Sequence, residues 1–318
     1  MRRLVLLTAG VAVSLLIGAV PALADNGPHV AGAGPITDSC AGCHRVHTAQ
    51  APHLLKETQS DLCYTCHGSG GAGANNDVVD GVGYSEPGRG GAAGALRGGG
   101  FSYALIQSDN PTIGGSTGVI PVRGSGQSVT STHSVDSSEQ TAWGFGAIGS
   151  GYGKTVSLSC GNCHDPHGNG NYRILRATPR ELYSHGETVP PGGEVTIPDA
   201  ATKVYTTSNY WRADDVNQVG FIENVAAWCT TCHSRYLADH KGSTYSGDPV
   251  YSYRHTTTQS TAGAGKRNCI QCHVSHGSNS SMSAKADSVP FPDGSSGAGD
   301  SRLLRLDNRG VCQMCHNK

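Results

Sequence analysis

The chain has 318 residues and a formal net charge of −1, because 23 Lys and Arg are balanced by 24 Asp and Glu. This balance gives no electrostatic basis for binding nucleic acid or an anionic membrane. The chain contains 45 Gly but only 4 Phe, 3 Trp and 3 Met, which are too few large apolar side chains for the core of an ordinary domain of this length.

Residues 1–24 have the layout of a secretory signal peptide. Two arginines precede an apolar run, and the small residues Ala22 and Ala24 mark a cleavage site. The apolar run at residues 4–20 is at the short limit for spanning a bilayer, which favours cleavage over a retained anchor. We therefore expect a secreted mature chain that begins at Asp25 and is extracellular or on the cell surface, with the periplasm as the alternative.

Six copies of Cys-x-x-Cys-His account for all 12 cysteines. Two thiols three residues apart can bond both vinyl groups of one porphyrin, and the next residue carries an imidazole to the iron, so this is the attachment motif of a c-type haem. A zinc site or a disulfide scaffold also uses paired cysteines, but neither requires a histidine after all six pairs. The sequence therefore predicts six covalently attached c-type haems.

The predicted attachment residues, in chain order, are the thioether cysteines Cys40, Cys43, Cys63, Cys66, Cys160, Cys163, Cys229, Cys232, Cys269, Cys272, Cys312 and Cys315. The predicted proximal iron ligands are His44, His67, His164, His233, His273 and His316. We number the motifs and their haems 1 to 6 in this order.

The six motifs form three pairs that share a common pattern. The first motif of each pair is extended to Cys-x-x-Cys-His-x-x-His, which adds His47, His167 and His276. An aliphatic–aliphatic–basic triplet lies between the two motifs of each pair: Leu54-Leu55-Lys56, Ile174-Leu175-Arg176 and Leu303-Leu304-Arg305. We predict a single domain of residues 25–318 built from three haem-pair repeats, with boundaries near residues 25–100, 101–240 and 241–318.

The segments between the motifs indicate little regular structure. The glycine content of residues 68–100 predicts turns and loops. Short strands are predicted at residues 101–106, 119–122 and 202–207, and a weak helix at residues 214–228. The predicted fold is that of a multihaem cytochrome: mostly coil and turns, with short helices and few short strands wrapped around a continuous haem array. The haems supply the core that the side chains lack.

Nine histidines remain after the six motif histidines, and they are the candidates for the distal iron ligands. Bis-His coordination is the economical assignment, because Met282 is the only methionine that is neither the initiator nor inside a motif. The three histidines of the extended motifs lie about one helical turn after a proximal ligand, too close to reach the opposite face of the same haem. We therefore assign them to the second haem of each pair: His47 to haem 2, His167 to haem 4 and His276 to haem 6.

A histidine also precedes each pair of motifs and is assigned to the first haem of that pair. These three assignments are His29 to haem 1, His133 to haem 3 and His255 to haem 5. The assignments leave His53, His185 and His240, which we expect to be solvated or to bond haem propionates.

The paired motifs resemble the doubled-CxxCH family of multihaem cytochromes. Together with the hexahaem count, the signal peptide and the loop-rich composition, they are similar to the hexahaem outer-surface cytochromes that form extracellular nanowire filaments. The paired motif covers most of the mature chain, whereas the glycine-rich insertions have no counterpart in the resemblance. The resemblance implies all-His ligation with one distal histidine supplied by a neighbouring subunit, for which the matching candidate is His29.

Three functions are compatible with these motifs. The first is a secreted electron carrier, with no catalytic residues, that forms a filament of its own copies and exchanges electrons with redox partner cytochromes and an extracellular acceptor such as a metal oxide or another cell. The second is a monomeric periplasmic electron shuttle. The third, a multihaem reductase, requires an iron with an open coordination site, and the surplus of histidines argues against it.

Overall fold

The structure is a computed structural model that describes residues 39–69, 74–84, 92–96, 98–104, 112–113, 116–117, 127–168, 171–179, 219–236, 245–252, 269–295, 300–308 and 310–313. The predicted signal peptide and the strands predicted at residues 119–122 and 202–207 lie outside these ranges. The predicted site residues that lie outside them are His29, His185, His240, His255, Cys315 and His316. In the described ranges, no helix is both long and apolar enough to cross a bilayer.

Six short α-helices in these ranges carry the attachment motifs. Three of them contain the first motifs of the pairs: α1 (Ser39–Cys43), α3 (Cys160–Cys163) and α5 (Cys269–Cys272). The other three contain cysteines of the second motifs: α2 (Gln59–His67), α4 (Val219–Cys229) and α6 (Gly310–Gln313). One turn of helix suits the motif, because residues three apart lie on the same face.

The two longest helices of the described ranges are α2 and α4. The hydroxyl oxygen of Thr58 accepts a hydrogen bond from the Asp61 amide at 3.3 Å and caps the start of α2. Of the helix predicted at residues 214–228, the part from Val219 onward is observed in α4, which ends at Cys229, and residues 214–218 lie outside the described residues. The prediction of short helices and small strands is thus confirmed for the described ranges.

Short antiparallel strands fill the segments between the helices. Strands β1 (Asn76–Asp77), β2 (Val82–Tyr84) and β3 (Ala92–Ala95) form a three-stranded sheet in that order. The remaining strands form two-stranded ladders: β4 (Tyr103–Ala104) with β7 (Gln127–Ser128), β5 (Thr112–Ile113) with β6 (Ser116–Thr117), β8 (Ser131–Thr132) with β11 (Gly277–Ser278), and β9 (Glu139–Trp143) with β10 (Gly153–Ser157).

The prediction of only turns and loops at residues 68–100 is wrong, because β1, β2 and β3 lie within that segment. Glycine and alanine have weak strand propensity, but the ladder is made by backbone groups, which every residue carries. In this sheet Val82 lies opposite Ala95, and both side chains are buried. Of the strand predicted at residues 101–106, Tyr103–Ala104 is observed as β4, and residues 105 and 106 lie outside the described residues.

Strands β8 and β11 join the second repeat to the third. Thr132 pairs with Gly277, and the His133 amide donates to the carbonyl oxygen of His276 at 2.8 Å. The Thr132 hydroxyl donates to the same carbonyl at 2.9 Å. This ladder places two predicted distal ligands side by side, although they belong to different repeats.

The β9–β10 hairpin packs against motif 4. Ala142 and Val156 are buried on its inner face, where they contact Phe145, Leu158 and Cys232. The register of the hairpin places Trp143 at its end, opposite Gly153. The hairpin thereby presents the Trp143 carbonyl to the proximal histidine of motif 4.

Replacing Gly99 by Ala is expected to destabilise the protein, because Gly99 closely approaches Gly277. The φ angle of Gly99 is +72°, and an added Cβ would overlap the carbonyl oxygen of Gly277. A left-handed alanine costs about 1–2 kcal/mol, and the backbone overlap should raise the loss to about 3 kcal/mol or more. Denaturant unfolding of the haem-loaded protein measures this loss.

Gly149→Ala is the matched control for this prediction. Gly149 is also left-handed, with φ of +88°, but an added Cβ there meets no atom within 4 Å. It should lose only the conformational part, about 1–2 kcal/mol. Equal losses in the two variants would contradict the close approach.

The buried apolar side chains of the described ranges are few and small. There are 13 of them, and four are alanines: Leu55, Val82, Ala95, Leu96, Ala104, Val135, Ala142, Val156, Val225, Ala226, Val274, Leu306 and Val311. The largest fully buried side chains are polar, among them Arg305, Asn279, Asp77 and Asp248. The described polypeptide thus has only a small apolar core of its own.

Candidate haem-binding site

The first motif of each repeat contacts the triplet of the same repeat in one recurring arrangement. In repeat 1 the Lys56 amide donates to the carbonyl of Cys43 at 3.1 Å, and the Arg45 amide donates to the carbonyl of Leu54 at 2.7 Å. The equivalent pairs are Arg176 with Cys163 at 2.8 Å, Asp165 with Ile174 at 2.7 Å, Arg305 with Cys272 at 2.9 Å, and Val274 with Leu303 at 2.8 Å. The sequence repeat is therefore also a structural repeat at these contacts.

In each repeat the same contact orients the imidazole of the first motif. The Nδ1 atom of His44 lies 2.8 Å from the carbonyl oxygen of His53. The equivalent pairs are His164 with Arg173 at 3.0 Å and His273 with Arg302 at 2.9 Å. Because a carbonyl oxygen can only accept, Nδ1 carries the proton, and Nε2 of the neutral ring keeps its lone pair for a metal.

Four further imidazoles have an oxygen near Nδ1. The acceptors are the carbonyl oxygens of Trp143 for His233 at 2.6 Å, Ser275 for His133 at 2.8 Å and Gly99 for His276 at 3.3 Å. The His167 Nδ1 lies 3.6 Å from a carboxylate oxygen of Asp165. The Nε2 atoms of His133, His233 and His276 are thus the ones available as ligands, whereas the separation at His167 is longer than a hydrogen bond.

Six of these imidazoles lie in three pairs with nearly equal separations. The ring centroids of His44 and His167 are 6.2 Å apart. The other pairs are His133 with His233 at 6.3 Å and His164 with His276 at 6.5 Å. The ring planes make angles of 8°, 42° and 62°, respectively.

These separations fit two imidazoles on opposite sides of one iron. Two metal–nitrogen bonds of about 2.0 Å, each extended by about 1.1 Å from nitrogen to ring centroid, give a separation of about 6.2 Å. Each pair also contains one motif histidine, whose cysteines can hold the porphyrin. In the described part of the chain, no cluster of three or more His, Cys, Asp or Glu side chains forms a metal cage of the kind zinc requires. The residues present therefore fit haem.

Burial keeps four of the paired imidazoles in the neutral form that binds iron, namely those of His133, His164, His233 and His276. Burial, with a smaller effect of the nearby His164, lowers the pKa of His276 to about 3. Burial, with a smaller effect of His133, lowers the pKa of His233 to about 4. Burial also lowers the pKa values of His133, His164 and His273. A neutral ring with the proton on Nδ1 can coordinate iron without first losing a proton.

The first cysteines of motifs in neighbouring repeats lie in contact. The Cys63 thiol donates a hydrogen bond to the sulfur of Cys160, which raises the pKa of Cys63 and lowers that of Cys160 to about 7. Cys229 and Cys269 make the same contact, with the pKa of Cys229 raised and that of Cys269 lowered. Motif 2 therefore lies against motif 3, and motif 4 against motif 5.

The observed pairing of imidazoles differs from the pairing expected from the sequence. His167 lies beside His44 of motif 1 and not beside His233 of motif 4. His276 lies beside His164 of motif 3, whereas motif 6 was expected. His133 lies beside His233 of motif 4, whereas motif 3 was expected. The reason is the stacking of repeats: α2 packs on α3, α4 packs on α5, and β8 pairs with β11, so side chains reach across repeats.

Among the predicted ligands of the described ranges, His47 and His273 have no imidazole at such a distance there. His47 is exposed, and no ring contact is formed by it or by His273 within the described ranges. His53 is exposed and contributes its backbone carbonyl instead of its ring. His29, His255 and His316 lie outside the described residues, so their assignments remain predictions.

The carbonyl acceptors are functional groups that sequence reasoning missed. The repeated triplet was a signal for three of them, because His53, Arg173 and Arg302 directly precede it. No comparable signal marks Trp143, Ser275 or Gly99, which reach their imidazoles through sheet pairing or close backbone approach.

The comparison with known families agrees with this geometry. Residues 34–72, which contain motifs 1 and 2, match the family model described as doubled CXXCH motif. The match supports a multihaem c-type cytochrome. No curated protein and no solved structure shows significant similarity to the chain.

Proposed function

We propose that the chain is a secreted hexahaem c-type cytochrome that carries electrons along closely packed bis-His haems and polymerises into an extracellular filament. The observation that supports a role in electron transfer is the set of three imidazole pairs, whose ring centroids are 6.2–6.5 Å apart. An iron with imidazoles on both faces has no open position for a substrate, which favours a carrier over a reductase. Redox partner cytochromes and an extracellular acceptor, such as a metal oxide or another cell, would complete the path.

Bound haem would supply one-electron exchange between ferric and ferrous iron. The residues of the chain hold the cofactor in place and set its surroundings. The motif cysteines anchor each porphyrin edge, and the carbonyl acceptors fix the orientation of the imidazoles. Contact between Cys63 and Cys160, and between Cys229 and Cys269, brings motifs of neighbouring repeats together. This contact supports a continuous array.

Intact-mass spectrometry of the denatured secreted protein tests the cofactor assignment. We expect the mass of residues 25–318 plus six haems, because thioether bonds survive denaturation. A polypeptide that carries disulfides and no haem would overturn the proposal. A mass that retains residues 1–24 would overturn only the prediction that these residues are a cleaved signal peptide.

The pairing of repeats supports polymerisation. The extended-motif histidine of repeat 2 lies beside the first motif of repeat 1, and that of repeat 3 lies beside the first motif of repeat 2. By the same rule, His47 of repeat 1 would serve His273 of repeat 3 in another copy of the chain. Such a contact is heterologous, so it can propagate into a filament.

The surface of repeat 1 is consistent with this contact. Leu54 is 48 % exposed and Val46, next to His47, is 75 % exposed. The equivalents of Leu54 in repeats 2 and 3, Ile174 and Leu303, are partly buried. Exposed apolar side chains next to an exposed candidate ligand are suited to binding a second copy. This placement supports His47 as a bridging ligand, while His29, the candidate that the resemblance implies, lies outside the described residues.

Replacing His47 by Ala is expected to abolish filaments and convert one haem per chain to the high-spin state, because the haem of motif 5 loses its second imidazole. Electron microscopy measures the first effect and magnetic circular dichroism the second. His29→Ala and His255→Ala are the matched variants. Loss of filaments in His29→Ala alone would favour the N-terminal bridge.

If haem 5 becomes high-spin in His255→Ala while His47→Ala still forms filaments, both ligands of that iron come from one chain. A wild-type protein that stays monomeric at high concentration would rule out the filament. It would leave the monomeric periplasmic shuttle as the function.

A further inference from the structure

Two consecutive left-handed residues precede or begin the triplet in every repeat. The φ angles are 62° and 59° at His53 and Leu54 in repeat 1. They are 53° and 52° at Arg173 and Ile174, and 53° and 59° at Arg302 and Leu303. None of the six residues is glycine, although the chain contains 45 glycines, and left-handed backbone is unfavourable for bulky or β-branched residues.

The left-handed pair explains how two acceptors face one motif. In an extended segment, successive carbonyls point to opposite sides, whereas in a helical turn they point the same way. In repeat 1, the His53 carbonyl accepts from the His44 imidazole and the Leu54 carbonyl accepts from the Arg45 amide. Both acceptors of the pair are thus used by consecutive residues of the motif.

Contacts from elsewhere in the chain hold the pair of repeat 3. The Leu303 amide donates to the Ser131 hydroxyl oxygen at 2.8 Å, and the Arg302 amide donates to a carboxylate oxygen of Asp300 at 2.6 Å. The Arg302 guanidinium lies 3.8 Å from the centroid of the Phe291 ring. A strained backbone conformation persists only where the surrounding structure holds it in place. Such conformations are concentrated at functional sites.

We infer that the left-handed pair of each repeat is a positioning element that holds a carbonyl oxygen on Nδ1 of the first-motif imidazole and thereby lowers the reduction potential of the haem that imidazole binds. A proton shared with a carbonyl makes the imidazole a more basic ligand, and a basic ligand stabilises ferric over ferrous iron. The positioning residues are His53 with Leu54, Arg173 with Ile174, and Arg302 with Leu303. This inference rests on the proposed haem ligation, and it concerns haems 1, 3 and 5.

Repeat 1 offers the sharpest test, because Leu54 is partly exposed and its two replacements differ only in backbone freedom. Leu54→Pro fixes φ near about −65° and forbids the left-handed conformation, whereas Leu54→Gly permits that conformation without strain. Both remove the same side chain. The readouts are a spectroelectrochemical titration and the electron paramagnetic resonance spectrum of the ferric protein, on samples of equal haem content and equal assembly state.

In Leu54→Pro, one haem's share of the absorbance change is expected to move to a more positive potential, with a changed ferric resonance for the same haem. Leu54→Gly is expected to titrate like the wild type. An unshifted Leu54→Pro protein would overturn the inference, as would a Leu54→Gly protein that shows the same positive shift. If Leu54→Pro does not accumulate, the same two replacements at Ile174 apply the test to haem 3, and equal potentials in Ile174→Pro and Ile174→Gly would overturn the inference.

Intact-mass spectrometry distinguishes a failure of the proposed function from a failure of the role assigned to the left-handed pair. A protein without covalent haem would refute the proposed function itself. A fully loaded protein in which Leu54→Pro leaves every potential unchanged would refute only the role of the left-handed pair.

Discussion

Production of the mature chain in cells that lack the machinery for covalent haem attachment is expected to give an unfolded polypeptide. The 13 buried apolar side chains of the described ranges include four alanines and no aromatic residue, so little apolar surface opposes the conformational entropy of the chain. Burying polar side chains such as Arg305, Asp77 and Asp248 lowers the stability of the folded chain further unless their polar atoms are hydrogen-bonded or paired. The haems must supply most of the missing core.

Circular dichroism and amide hydrogen exchange test this expectation. The haem-free chain should show the spectrum of a coil, no cooperative thermal transition and no protected amides. The haem-loaded protein under the same conditions is the control, and it should unfold cooperatively. A cooperative transition in the haem-free chain would show that side chains alone form a sufficient core.

Replacing His276 by Ala is expected to convert one haem per chain from low-spin to high-spin, because the structure places the centroid of this half-buried ring 6.5 Å from that of His164. The ring also lies against Phe101, with centroids 4.6 Å apart. Its removal should therefore lower the free energy of unfolding by about 3 kcal/mol. Magnetic circular dichroism detects the high-spin haem, and added imidazole should restore the low-spin state.

Combining His276→Ala with the loss of one attachment motif identifies the haem that His276 coordinates. Replacing Cys312 and Cys315 by Ser would remove the haem predicted at motif 6. If His276 pairs with His164, His276→Ala still produces one high-spin haem in that background. If His276 serves haem 6, no new high-spin haem is produced.

His53→Ala is the matched control for the His276 variant. The ring of His53 is exposed, and only its backbone carbonyl contacts a motif. All haems should therefore stay low-spin in this variant. A high-spin haem in His53→Ala would show that the ring itself is a ligand.

The cofactor chemistry follows from the amino-acid sequence, because covalent attachment depends on residues that are close in the chain. Two thiols and an imidazole within five residues can bind one porphyrin whatever the rest of the fold does. The threefold repeat was also visible, since the extended motifs and the triplets recur together. The structure adds that each first motif contacts the triplet of its repeat, although the triplet of repeat 3 lies 30 residues beyond His273.

Which imidazoles face each other depends on tertiary contacts that the sequence does not reveal. A distal ligand must reach the far side of a haem, and its distance along the chain says little about that reach. The ladder of β8 with β11 and the packing of helices from neighbouring repeats bring His167 to His44, His276 to His164 and His133 to His233. Long-range backbone pairing likewise supplies the Trp143 and Gly99 carbonyls, because any residue can provide a backbone acceptor and the residue type therefore carries no signal.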